Sequence, residues 1–189
     1  MKLIIKRLTY SILFFVCITP IAFAQIEFDK PKVEGPLPNP YTLAAKREDI
    51  VKATRDLMKA CSIPIDETNS KDDGGKIYTK AVVYTRGVTA NSDLEHLANM
   101  GASDVRNFLQ GRYSLEVTSL PVDQAKVQIQ ISAKIQGRLA GRMGEVWVDS
   151  ISNGQLEDEV LRGLAGRILG IDLSGKRRGG GRRILNCEY

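Results

Sequence analysis

The chain has 189 residues, a formal net charge of +5, three cysteines and a single histidine. With one histidine, and with Cys61 and Cys187 far apart in sequence, no zinc set of Cys and His ligands exists. The basic excess sits in two short runs, Lys2 to Arg7 and Lys176 to Arg183, and the remainder is mildly acidic, which disfavours a nucleic-acid-binding domain.

The N-terminus carries Lys2, Lys6 and Arg7, an apolar run from Leu8 through Ile18, and a small-x-small site at Ala22-Phe23-Ala24. That pattern predicts a secretory signal peptide over 1–24 and an exported protein, periplasmic or secreted after cleavage near Ala24. The run is shorter than the roughly 20 apolar residues a membrane-spanning helix needs, and Pro20 breaks it, so no transmembrane segment is expected in the mature chain. Cys17 follows the bulky Val16 and reads as an apolar residue of the discarded segment rather than a lipidation site.

Pro31, Pro36, Pro38 and Pro40 mark 25–41 as an extended linker. Ile50, Val51, Thr54, Leu57, Met58 and Cys61 fall on one face of a helix predicted from about Thr42 to Cys61, ended by Pro64. A polar loop, Asp66 to Gly75, leads to a first strand at Lys76–Tyr84. Asp93–Asn99 is expected as a short helix, with Val105, Phe108 and Leu109 extending helical packing toward Gly111. A second strand covers Arg112–Val122. The third, Lys126–Ile135, is the clearest: Val127, Ile129, Ile131, Ala133 and Ile135 alternate with polar residues, as in a sheet covered on one side. Gly137–Gly144 is expected as a hairpin loop before a fourth strand, Glu145–Ser150, where Trp147 reads as core. After a turn at Ser152-Asn153-Gly154, Leu156, Val160, Leu164 and Ile168 predict a helix over Gln155–Leu169 with Gly170 as its stop. Gly163 and Gly166 weaken that helix and suggest close approach to a sheet.

These elements predict an α+β domain over 42–174. It has an about four-stranded antiparallel sheet with helices packed on one face, followed by a basic Gly/Arg-rich tail over 175–189. An oxidising compartment permits a disulfide between Cys61 and Cys187, which would tie down Ile184–Tyr189; the alternative is two separate thiols.

Chemistry-bearing patterns are sparse. His96 reads as a surface histidine beside Glu95. Asp66–Gly74 lacks the alternating ligands and terminal Glu of a calcium loop. Gly137–Gly144 lacks the Lys-Ser/Thr pair of a phosphate loop and precedes a strand rather than a helix. No nucleophile elbow occurs. The expectation is therefore a protein that is not an enzyme, with no catalytic set, cofactor or metal. The candidate interaction residues are Arg138, Leu139, Arg142 and Met143 at the hairpin tip and Arg177, Arg178, Arg182 and Arg183 in the tail.

The sequence of elements, with strands GKIYTKAVVY, RYSLEVTSL, KVQIQISAKI and EVWVDS between two helices, resembles the helix-grip modules of bacterial envelope proteins such as the BamC-type outer-membrane assembly lipoproteins. The resemblance implies a helix-grip-like fold and a protein partner in the cell envelope. Two other readings stand beside it. One is an adaptor for anionic lipid or cell-wall polymer, using the basic tail without specific nucleic-acid recognition. The other is a small-ligand binder or enzyme with a cleft between sheet and helices, reported by Trp147.

Overall fold

A strand buried on one side needs a long neighbour, and the two central strands supply one another with it. In chain order the elements are β1 (Tyr41–Leu43), α1 (Arg47–Ala60), β2 (Lys76–Tyr78), β3 (Val82–Arg86), α2 (Ala90–Glu95), β4 (Phe108–Pro121), β5 (Val127–Gly141), β6 (Gly144–Ser150) and α3 (Gln155–Leu169). The computed structural model describes residues 35–100, 107–141, 144–173, 184–185 and 187, without the side chains of 140 and 141. The expected signal peptide, the first part of the linker and the run 175–183 lie outside the described residues.

The molecule is α+β, with a six-stranded antiparallel sheet and three helices. β4 and β5 pair from Phe108 opposite Leu139 to Pro121 opposite Val127, with one irregularity between Phe108 and Gln110. At one end β1 and β2 flank them, Tyr41 opposite Ile129 and Ile77 opposite Val117. At the other end β6 and β3 take those places, Ser150 opposite Ile135 and Val82 opposite Tyr113. The sheet is thus four strands wide at either end but built from six.

The extra two strands correct the expected count and have local causes. The predicted strand 76–84 is split at Thr79. Its hydroxyl accepts the Leu115 N–H while its own N–H bonds to Leu115 O, so the chain changes course there without losing its hold on β4. The other addition, β1, lies at the boundary between the predicted linker and helix, so α1 starts at Arg47 rather than Thr42. Two further corrections lengthen the central strands. Phe108 and Leu109 begin β4 instead of continuing a helix, and Gly137 to Gly141 continue β5 instead of forming a loop. Gly137 read as a turn residue, yet it is the close-approach glycine of a strand: a Cβ there would lie 2.3 Å from the Phe108 ring.

Past the irregularity between Phe108 and Gln110, even positions of β4 from Arg112 to Thr118, like those of β5 from Gln128 to Arg138, face away from the helices, and the odd ones between them face the core. Tyr113, Leu115, Val117, Ile129, Ile131 and Ile135 are buried against Ile50, Leu57 and Met58 of α1 and Leu156, Val160, Leu161 and Leu164 of α3. Gly170 ends α3 in the left-handed conformation, as the sequence predicts. Gly166 faces not the sheet but the returning chain, where a Cβ would meet Ile171 O at 2.7 Å.

Three consecutive acids near the start of α3 reach out to other segments. Glu157 accepts the Ala133 N–H at 3.2 Å and the Ser152 hydroxyl at 2.8 Å. Asp158 accepts the Leu37 N–H at 2.8 Å and the Nε of Arg162 at 2.9 Å. Glu159 accepts the N–H groups of Ile184 and Leu185, both at 3.2 Å. Arg162, itself buried, also donates to Gly35 O and Leu173 O. Between β1 and β6 the outer edge of β5 would otherwise be bare. There Asn39 binds both Ile131 backbone groups with its side-chain amide and Glu157 takes the next N–H, so two side chains complete the ladder. Cys61, at the end of α1, is bridged to Cys187, and Leu185 beside it is buried. Ile184, Leu185 and Cys187 are held in this way without forming a strand.

Candidate functional site

The uncovered face of the sheet carries a polar ladder around one large aromatic ring. In register, Arg112 of β4 stands opposite Gln136 of β5, Gln136 opposite Asp149 of β6, and Arg138 of β5 opposite Trp147 of β6. The Arg112 guanidinium carbon lies 3.8 Å from the centre of the Trp147 ring, and that of Arg138 lies 5.9 Å away. Each such cation–π contact at an exposed site contributes about 0.5–1 kcal/mol. The Arg112 Nε donates to Gln136 Oε1 at 2.7 Å, and Gln136 Nε2 donates onward to Asp149 Oδ1 at 2.6 Å. Lys134 Nζ reaches Asp149 at 3.5 Å, and Arg138 pairs with Glu145. The Gln136 hydrogen bond, with the charges of Lys134 and Arg112, holds the Asp149 carboxyl below the usual carboxylate range. The Arg138 Nε is buried and finds no acceptor among the described residues.

The chain matches no family model, no curated protein and no solved structure.

The residues expected at a hairpin tip are separated. Arg138 lies on this open face, but Leu139 is on the opposite side of β5, half-buried against the core and paired with Val146 and Phe108. Arg142 and Met143, like Arg177, Arg178, Arg182 and Arg183, lie outside the described residues. Trp147 is not a core residue: it shares the face of Lys134, Gln136 and Arg138, away from the helices. It therefore cannot report on a space between sheet and helices. That interface is occupied by Leu156, Val160, Leu161, Leu164 and Ala165, each with no measurable exposure, against the isoleucines of β5. Arg112 belongs to the ladder and was not singled out from sequence. The signal was its even position in β4, which puts it on the wet face, but the adjacency of β4, β5 and β6 is not written in the chain.

The remaining polar clusters hold the fold. Arg55 on α1 forks to both oxygens of Glu67, at 2.8 and 2.9 Å, and to both of Asp72, stapling the acidic loop to the helix. That hydrogen bonding holds Glu67 below its usual range and raises Arg55 further. Asp66 is bonded by Asn69 and by the Thr68 N–H. Glu67 and Asp72 thus face an arginine, and Asp66 its own chain. A surface cleft of about 470 Å³ opens beside them, lined by Asp66, Asn69, Lys71, Lys76, Tyr78 and Thr79. His96 is exposed at the end of α2, where its carbonyl accepts from Asn153. No group of three or more His, Cys, Asp or Glu able to hold a metal occurs among the described residues, and no described helix is long and apolar enough to cross a membrane.

Proposed function

We propose that this chain is an exported, non-enzymatic interaction module of a bacterial cell envelope that holds another envelope protein by the open face of its sheet. The observation that carries this reading is Trp147, set on the uncovered face between the guanidinium groups of Arg112 and Arg138. Tryptophan and arginine dominate interface hot spots because they combine large contact area with directional polar contacts. The alternation of β6 turns Val146 and Val148 to the other face and so sets this ring on the open one. The signal-like N-terminus and the Cys61–Cys187 bridge support export. The order of helix, antiparallel sheet and helix supports the likeness to helix-grip envelope modules of the BamC type.

The test is crosslinking in intact cells, followed by mass spectrometry, with the full chain, the Trp147→Ala variant and a chain lacking 175–183. The reading expects one specific envelope protein with the full chain and with the shortened chain, little or none with Trp147→Ala, and recovery that survives raised salt. Capture that needs 175–183 and vanishes with salt would favour the anionic-surface reading instead.

A further inference from the structure

A disulfide is a staple where the rest of the fold already holds the residues it joins, and a clasp where little else does. The Cys61–Cys187 bond joins residues 126 apart in sequence, the end of α1 to a short stretch near the C-terminus. Ile184, Leu185 and Cys187 belong to no helix or strand, so their release breaks no ladder bond of the sheet. Two other things hold them among the described residues. The Glu159 carboxylate accepts the Ile184 and Leu185 N–H groups, both at 3.2 Å, and Leu185 is buried. These residues thus reach from near the start of α3 to the end of α1, the two helices that cover the sheet on the side away from Trp147.

The two sulfurs are not alike. Cys61 is only 7% exposed and caps the C-terminal end of α1, whereas Cys187 is half-buried. An attacking thiolate must reach a sulfur, and exposure selects Cys187. The sulfur that leaves is then Cys61, where burial and the helix dipole both disfavour negative charge. A single thiol therefore gives an adduct on Cys187 that Cys61, held beside it, displaces again. A dithiol escapes this return, because its second thiol closes its own disulfide first.

We propose that the Cys61–Cys187 bond is a redox clasp, opened by a dithiol reductant that attacks Cys187 and frees Ile184, Leu185 and Cys187 from α1 and α3 while the sheet stays folded. The proposal concerns regulation and stands apart from the interaction reading. In the first step the reductant's thiolate bonds to Cys187 Sγ, the bond between the two cysteines breaks, and Cys61 leaves with the electron pair and takes up a proton. In the second, the reductant's other thiolate attacks its own sulfur in the mixed disulfide, and Cys187 leaves in the same way. The dithiol is oxidised to a disulfide, and the chain gains two electrons and two protons. The packing change at this switch is apolar: Leu185 leaves the core cluster against which Ile184 and Cys187 pack, and its place on the helix side of the sheet is uncovered.

The test follows amide exchange in the full chain before and after treatment with dithiothreitol. Once the bond is reduced, the Ile184 and Leu185 amides are expected to exchange about thirtyfold faster or more, the low end of what a native cross-link contributes. The Gln130 and Ser132 amides, which face β4 in the central ladder, are expected to stay slow. Glutathione, quenched by acid, is expected to leave its adduct on Cys187, where peptide mapping locates it. The Cys187→Ser variant is expected to show the fast Ile184 and Leu185 amides with and without dithiothreitol. Amides that stay slow after reduction, or in that variant, would overturn the proposal, because packing and Glu159 alone would then hold the segment. Acceleration of Gln130 and Ser132 by the same factor would overturn it too, since the bond would then be a staple of the whole fold. So would an adduct on Cys61, or a bond that dithiothreitol reduces only in denaturant.

Discussion

The two faces of the sheet are made by the same strands, one residue apart, and they are built on opposite rules. On the covered face, Ile129, Ile131 and Ile135 meet Leu156, Leu161 and Leu164 with almost no exposure, and Glu157, the acid that enters, is bonded to Ala133 and Ser152. On the open face, Arg112, Gln136, Asp149 and Arg138 form a set of polar contacts about a half-buried indole, and the buried Arg138 Nε finds no acceptor among the described residues. The first arrangement maximises apolar burial. The second fixes the orientation of a large ring that remains reachable from solvent. Apolar burial resides on one face, and the solvent-reachable ring with its polar contacts on the other.

Substitutions can break this contrast, and the largest effects belong to the covered face. Leu161→Ala should cost about 2–5 kcal/mol, since the residue has no exposure and the site cannot fully collapse; the urea midpoint measures it. Gly137→Val places side-chain atoms where a Cβ already meets the Phe108 ring, and should cost about 1–3 kcal/mol in the same measurement. Glu157→Ala leaves the Ala133 N–H without its acceptor on a completed sheet edge and should cost about 1–3 kcal/mol, while Glu157→Gln, which retains an acceptor oxygen, should recover part of that. On the open face, Arg112→Ala should change stability by no more than about 1 kcal/mol, the size of an exposed cation–π contact, and should instead blue- or red-shift Trp147 emission.

The smallest effect sharpens the comparison through pH. Asp149 has a folded-state pKa below its unfolded value, so its contribution to stability is present above the ordinary aspartate range and is lost as pH falls through the lowered folded value. Urea midpoints of the natural chain and of Asp149→Asn should therefore differ slightly near neutrality and converge on acidification. Divergence at low pH would mean that the carboxylate is not held by the ladder.

What the sequence disclosed followed the same division. One-sided burial writes itself as period-two alternation, so Val127 to Ile135 was readable, and the i, i+4 stripe of α3 with its Gly170 stop was equally plain. Three kinds of feature were hidden. β1 has three residues and no periodicity; its existence depends on register with Val127–Ile129 and on Asn39 acting as a substitute strand residue. Gly137 looked like turn chemistry because the Phe108 ring that demands it lies in another strand. Glu157, Asp158 and Glu159 carry no sequence mark of their partners, yet each ties a distant segment to α3. The open-face cluster was missed for the same reason as the sheet order: Arg112, Arg138 and Trp147 come together only through the adjacency of three strands.

The most direct measurement pairs the stability of Trp147→Ala with its capture of a partner in cells. The account predicts a urea midpoint corresponding to a change of no more than about 1 kcal/mol, together with loss of the specific crosslinked protein. A variant that unfolds as readily as Leu161→Ala, or that captures its partner as well as the natural chain, would contradict it.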